Sequence, residues 1–137
     1  MDQLTALYAL ASGQGIGVYR FSLPETGSLS IQDEGGHCSI GLDEGAMETS
    51  AEQIVHLAHE VGHCLTGSFY NRYAACDLRQ KHENRADRWA IRRLIDPARL
   101  YDALEAGITE PWELAEQFGV TEPFMRKALC YYLAVPL

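Results

Sequence analysis

The sequence lacks long hydrophobic runs, a basic N-terminal segment and closely spaced cysteines. No apolar stretch approaches the roughly 20 residues of a membrane-spanning helix, and MDQLTALYALASGQG resembles no secretion signal. We therefore expect a cytoplasmic protein. Four cysteines lie far apart without a CxxC pair, so we expect free thiols rather than a disulfide framework or a four-cysteine zinc site: Cys38, Cys64, Cys76 and Cys130.

Basic side chains are scarce in the first part of the chain. Residues 1–78 carry two basic and ten acidic side chains, whereas residues 79–137 carry nine of each, so the net charge of −8 arises in the first part. An acidic chain is poorly suited to non-specific DNA binding. Most basic residues form one cluster, which is either a solvated helix face or a docking patch for an acidic partner surface: Arg79, Lys81, Arg85, Arg88, Arg92, Arg93 and Arg99.

The hydrophobic pattern predicts a mainly helical α+β fold with a small antiparallel sheet, in one domain spanning residues 1–137. Ser50, with Gln53 three residues later, resembles the capping box of a buried helix that ends at Gly67. The predicted strands are Val18–Leu23, Leu29–Gln32 and His37–Leu42, with residues 33–36 as a hairpin loop. The other predicted helices cover residues 2–11, 81–95, 97–106, 111–118 and 122–134.

The most informative motif is His59-Glu60-Val61-Gly62-His63, an HExxH string within an otherwise apolar helix. Residues four apart share a helix face, so both imidazoles can reach one zinc ion. Glu60 is offset around the helix and can address a water without being a ligand. The alternative, two core histidines, would leave buried polar groups in need of other partners.

A third ligand is expected on the next long helix. Glu83 and Asp87 lie at i and i+4 on the stripe that continues through apolar residues, so they are poorly explained as surface charge. We expect Glu83 to be the ligand and Asp87 to hold a ligand imidazole through a hydrogen bond. Two alternatives stay open: a solvent-facing Glu/Asp pair, and His82 as the third ligand.

Three segments together resemble the ImmA/IrrE-type zinc metallopeptidases, over about residues 15 to 135: LAHEVGHC from Leu57, TGSFYN from Thr66, and ENRADRWA from Glu83. The resemblance implies a zincin-like fold with the gluzincin pattern HExxH…ExxxD. It also implies one Zn²⁺ held by His59, His63 and Glu83, with Glu60 as the catalytic carboxylate. Relatives relieve repression by cutting a helix-turn-helix repressor, so the resemblance implies an anti-repressor of the minimal prophage or mobile-element form.

The mechanism that this family implies needs a substrate strand and an oxyanion donor. Extended substrate would pair with an exposed sheet edge, and the predicted strand before the motif helix, His37–Leu42, is the candidate edge. Candidate donors lie in or after the loop that leaves the metal helix: Tyr70, Asn71, Arg72, Tyr73 and His82. Each has an alternative structural role. We interpret His37 and His56 as surface or packing histidines, and Cys64 as a packed thiol.

Residues 109–137 form a helical part that resembles a helix-turn-helix core, with Gly119 at the tight turn, after a catalytic part at residues 1–108. This supports an alternative function as a DNA-binding regulator. Its would-be recognition helix offers few base-reading groups, chiefly Arg126 and Lys127, so we expect a protein partner and no nucleic acid. A third hypothesis is inhibition by binding with a structural zinc, but such a site has no use for Glu60.

Overall fold

The computed structural model describes residues 2–69 and 75–134. In these ranges the fold is mainly helical with one small mixed sheet, as expected for the α+β class. The elements in chain order are α1 (Gln3–Gly13), β1 (Gly17–Arg20), β2 (Ser28–Gln32), β3 (Cys38–Leu42), a short 3-10 helix (Glu44–Ala46), α2 (Ser50–Thr66), α3 (Cys76–Leu94), α4 (Pro97–Glu105), α5 (Pro111–Phe118) and α6 (Glu122–Leu133).

The sheet has the order β1-β3-β2, so two expectations about it are wrong. The sheet is mixed rather than antiparallel, because β2 and β3 form the expected hairpin while β1 runs parallel to β3 on its other side. β3 is therefore the central strand and cannot be the free edge. Its buried Ile40 and Leu42 explain the placement, since the most apolar strand takes the position with most cover.

A loop anchored by Asp43 carries the chain from β1 across to the far edge of β3. The Asp43 side chain accepts a hydrogen bond from the backbone N–H of Leu23, and its own N–H donates to the Gly27 carbonyl. Gly27, at φ 76°, adopts the left-handed conformation that favours glycine. These contacts determine where β2 begins, and β2 supplies one side of the site described below.

Helix α2 lies at the centre, against the sheet, α1 and α3. Its N-cap is Thr49 and not Ser50: the Thr49 hydroxyl accepts from the N–H of Glu52, whereas Ser50 is already helical. Gly67 ends the helix at φ 65°, as predicted. Helix α3 begins five residues earlier than expected, because Asp77, Leu78 and Gln80 are exposed and so do not show the apolar periodicity that marks a buried helix.

Two cysteines depart from the expectation of free thiols. Cys38 at the start of β3 and Cys64 on α2 form a disulfide, with Cα atoms 5.8 Å apart. Sequence spacing could not show this pair, because the fold brings together residues 26 positions apart. Cys130 is free as predicted, and the side chain of Cys76 lies outside the described part. No helix within residues 2–69 and 75–134 has the length and apolar character needed to cross a membrane.

Candidate metal centre and active site

Helices α2 and α3 approach closely at Gly62, the second variable position of the HExxH string. A Cβ atom on Gly62 would lie 2.7 Å from the carbonyl oxygen of Ala86 on α3, so only glycine permits this contact. The close approach brings the middle of α3, which carries Glu83 and Asp87, next to the histidines of α2. The absence of a side chain at position 62 therefore helps to form the site.

Three side chains converge between these helices. The Nε2 atoms of His59 and His63 lie 3.2 Å apart, and the two oxygens of Glu83 lie 2.7 Å and 2.9 Å from them. The three ligand-capable atoms lie within 4.8 Å of one another, so this group could hold a metal ion. Two imidazoles and one carboxylate are a donor set that zinc accepts at a site with three protein ligands.

The other ring nitrogen of each histidine is also engaged. His59 Nδ1 lies 2.8 Å from Asp87 Oδ1, and His63 Nδ1 lies 2.6 Å from the Ser68 carbonyl oxygen. Gly67 turns the chain so that Ser68 is buried beside His63. Because both Nδ1 atoms face acceptors, each Nδ1 carries a proton, and each Nε2 is directed at the shared point, where it can bind a metal once it is deprotonated.

The electrostatics of this cluster favour a cation. Burial opposes charge on His59, but hydrogen bonds to Asp87 and Glu83 outweigh burial and raise its pKa to about 10. The pKa of His63 is also raised, since contacts with Glu83 and the Ser68 carbonyl outweigh burial. Burial likewise opposes charge on Glu83 and Asp87, yet the imidazoles hold the pKa of both carboxyls below their ordinary values. The carboxylates thus favour positive charge at this point, whether protons or a bound cation supply it.

Glu60 lies beside the convergence point and contacts a different set of groups. The residue is 6% exposed, and its Oε2 accepts a 2.7 Å hydrogen bond from the hydroxyl of Ser28 on β2. The same hydroxyl lies 2.7 Å from Nδ1 of His56, one turn earlier on α2. Glu60 is not part of the three-residue group, so the structure separates it from the candidate ligands.

All these groups open into one cleft of about 810 Å³. One wall is β2 with Ser28, Leu29 and Ser30, and the floor is α2. The opposite wall includes the start of α6, where Lys127 Nζ lies 3.2 Å from Asp87 Oδ2. The lining of the cleft includes all three candidate ligands, of which Glu83 is the most exposed and His63 is buried.

One of three comparisons with known proteins found a match. The model of the M78 peptidase family, described as the IrrE N-terminal-like domain, matches residues 11–129. The chain belongs to this family. A search of the curated proteins and a search of the solved structures found no match. The M78 match covers α2, α3 and every residue of the converging group.

In this M78-family chain, not every predicted site residue reaches the cleft. His59, His63, Glu83, Asp87 and Glu60 are together, whereas His82 is outside the cleft lining among the described residues. The other candidate donors, which include Tyr70 and Tyr73, lie outside the described residues, as do Asn71 and Arg72.

One histidine and one serine make a contact that the sequence did not indicate. His37 is exposed, as expected, whereas His56 is half-buried and its Nδ1 lies 2.7 Å from the Ser28 hydroxyl. Its position four residues before Glu60 on one helix face was a usable signal. Ser28 carried no signal in the sequence, because only the fold brings β2 to Glu60. Cys64 is bonded to Cys38 rather than packed as a thiol.

Proposed function

We propose that this chain is a zinc-dependent endopeptidase with His59, His63 and Glu83 as the metal ligands and Glu60 as the catalytic carboxylate. The observation that carries the proposal is the convergence of three ligand atoms beside a separate, buried carboxylate in an open cleft. A structural zinc site is normally closed by four protein ligands. Among the described residues the group offers three, which favours an open position and therefore catalysis.

The chemistry that zinc supplies when bound is activation of a water and polarisation of the scissile carbonyl. The chain's own residues do the remaining work. Asp87 and the Ser68 carbonyl hold the two imidazoles in the orientation that binds the metal. Glu60 takes a proton from the water and delivers it to the leaving amine, which suits a carboxylate whose second oxygen is not engaged by Ser28.

The substrate strand belongs on β2 rather than on the strand at His37–Leu42, because β2 is an edge of the sheet and lines the cleft. A polypeptide added at this edge would run along the cleft past Glu60. Backbone hydrogen bonds would then provide most of the affinity, and cleft side chains would select residues.

We further propose that the substrate is a helix-turn-helix repressor in the cytoplasm, so that the chain acts as an anti-repressor. The support is the match between its motifs and the ImmA/IrrE-type peptidases. A DNA-binding role for α6 is disfavoured, because its two cations pair within the chain: Lys127 with Asp87, and Arg126 with Glu122. We expect the chain to cleave a purified repressor encoded beside it. We also expect it to cause no gel shift of DNA at low salt.

The test of the peptidase activity uses the zinc-loaded chain and β-casein, a protein with long extended segments. Mass spectrometry in H₂¹⁸O should find new C-termini that contain ¹⁸O. Glu60→Gln should bind zinc as tightly as the wild type but cleave about 10²- to 10⁴-fold more slowly, because it lacks the proton acceptor. Unchanged cleavage by Glu60→Gln would reject the proposed role of this residue.

The matched control is Glu116→Gln on the exposed face of α5, which should cleave like the wild type. β-Casein that stays intact while the adjacent repressor is cut would indicate a strict substrate requirement. Cleavage of casein with an intact repressor would reject the repressor as substrate and retain the peptidase.

A further inference from the structure

The hydroxyl of Ser28 joins two residues of α2 that the sequence motif does not connect. It lies 2.7 Å from Glu60 Oε2 and 2.7 Å from His56 Nδ1. Ser28 is 7% exposed, so these contacts are shielded from competing water. A short hydrogen-bonded chain thus runs from His56 through Ser28 to the carboxylate beside the metal ligands.

The direction of each hydrogen bond follows from the available protons. An ionised Glu60 only accepts, so the single proton of the Ser28 hydroxyl points to Glu60. The contact with His56 then requires that Nδ1 donates to the Ser28 oxygen. A neutral ring with its single N–H on Nδ1 makes this donation, and burial, which lowers the pKa of His56, favours the neutral form. One arrangement of protons therefore satisfies all three groups.

The fold around this chain of contacts leaves little freedom. Ser28 is the first residue of β2, directly after Gly27, whose position is fixed by hydrogen bonds to Leu23 and Asp43. A Cβ on Gly27 would lie 3.1 Å from His56 Cε1, so the ring packs against the bare backbone. The contact between Ser28 and His56 therefore depends on the left-handed conformation of Gly27 and on the hydrogen bonds of Gly27 with Leu23 and Asp43.

We propose that Ser28 and His56 are positioning residues that hold Glu60 in its reactive orientation, with Ser28 as the direct link. This inference rests on the proposed function. The Ser28 hydrogen bond engages Oε2 and leaves Oε1 to address the water. Because Ser28 also belongs to the edge strand that lines the cleft, a substrate that pairs with β2 would contact the strand whose Ser28 hydroxyl orients Glu60.

The first test measures cleavage of a fluorogenic peptide that spans a bond cut in β-casein. Ser28→Ala should lower kcat about 10- to 100-fold while KM changes less than about twofold, because orientation and not binding is lost. Ser28→Thr keeps the hydroxyl and should restore kcat. His56→Asn retains an N–H at the Nδ1 position and should also be active. His56→Leu has no N–H there and should lose activity. Ser39→Ala on β3, outside the cleft lining, is the matched control.

The second test does not depend on cleavage. Acetohydroxamate is titrated into the Co²⁺-loaded chain, and the visible spectrum reports binding next to Glu60. Introduced into the wild type, Ser28→Ala should weaken acetohydroxamate binding about fivefold or more. Introduced into Glu60→Gln, the same substitution should weaken binding less than about twofold, because its effect acts through Glu60. Equal weakening in both backgrounds, or none in either, would overturn the inference. If the wild type cuts no peptide but this coupling is present, the proposed function fails and the positioning role stands.

Discussion

At the scale of single residues, the site is defined by what each ring nitrogen of its histidines contacts. His59 and His63 are four residues apart, but the motif alone does not orient the rings. Asp87 and the Ser68 carbonyl do so by accepting from the two Nδ1 atoms. The carboxylate of Glu83 and the two Nε2 atoms then surround one point, while the carboxylate of Glu60 accepts a hydrogen bond from Ser28.

These contacts predict how the stability of the metal-free chain depends on pH. The raised pKa of His59, about 10 against an ordinary value of 6.5, stabilises the fold fully below pH 6.5. This contribution is lost as the pH rises toward 10. The lowered pKa values of Glu83 and Asp87 contribute above their ordinary values of 4.5 and 3.8 and are lost as the pH falls below them. The free energy of unfolding, measured with urea, should be greatest between about pH 4.5 and pH 6.5.

The comparison variant for this pH profile is Asp87→Asn, which removes the negative charge beside His59 Nδ1. Its alkaline decline should be smaller and should end at a lower pH, because loss of this charge lowers the pKa of His59 in the folded chain. Asp102→Asn, an exposed residue on α4, should follow the wild-type curve. A wild-type curve that is flat from pH 6.5 to 10 would contradict the assigned contacts of His59.

At the scale of secondary structure elements, the site depends on the distance between α2 and α3. The two histidines lie on α2 and Glu83 lies on α3, so the two helices must pack closely before the ligand atoms can meet. Gly62 permits this close packing because a Cβ atom at this position would overlap the backbone of Ala86. Position 62 is therefore constrained by helix packing, although the motif leaves it variable.

Gly62→Ala should destabilise the chain by about 1 to 3 kcal/mol through overpacking and should also weaken zinc binding. The second effect follows because separation of the helices moves Glu83 away from the histidines. Thermal unfolding and competition with a chromophoric chelator measure the two effects. Gly119→Ala is the matched control: its φ of 68° makes alanine unfavourable, but it lies at the turn before α6.

Gly119→Ala should therefore lower stability and leave zinc affinity unchanged. If Gly62→Ala changed stability alone, close packing of α2 and α3 would not be what assembles the ligand set.

At the scale of the whole molecule, one covalent link joins the sheet to the metal helix. The disulfide between Cys38 and Cys64 closes a segment that includes β3 and most of α2. A loop of this length predicts a stabilisation of about 3 kcal/mol relative to the reduced chain. Thermal unfolding with and without a phosphine reductant should show a lower melting temperature for the reduced chain.

The variant with serine at both Cys38 and Cys64 is the control for this experiment. It should unfold near the temperature of the reduced wild type and should not respond to the reductant. A wild-type melting temperature that is the same with and without reductant would show that the link contributes no stability.

The local parts of the fold and site were predictable because their signals are periodic. Helix spacing indicated that His59 and His63 share a face, and the apolar stripe of α3 indicated that Glu83 and Asp87 point inward. Gly67 and the hairpin loop at residues 33–36 followed from backbone preferences. Each of these inferences needs only residues close in sequence.

The rest depends on contacts between distant segments, for which the sequence has no periodic signal. Nothing in β1 indicates that it pairs parallel to β3, and nothing near Ser28 indicates Glu60 as its partner. The same holds for the bond between Cys38 and Cys64. The choice of Thr49 over Ser50 as the helix cap was ambiguous for another reason, since adjacent hydroxyl residues have similar capping preferences.

The proposed metal centre is tested most directly by a crystal structure of the zinc-loaded chain with anomalous data collected at the zinc edge. We expect one ion about 2.0 to 2.2 Å from His59 Nε2, His63 Nε2 and a Glu83 oxygen, with a non-protein fourth position beside Glu60. An ion bound through His82, or one enclosed by four protein ligands, would contradict it.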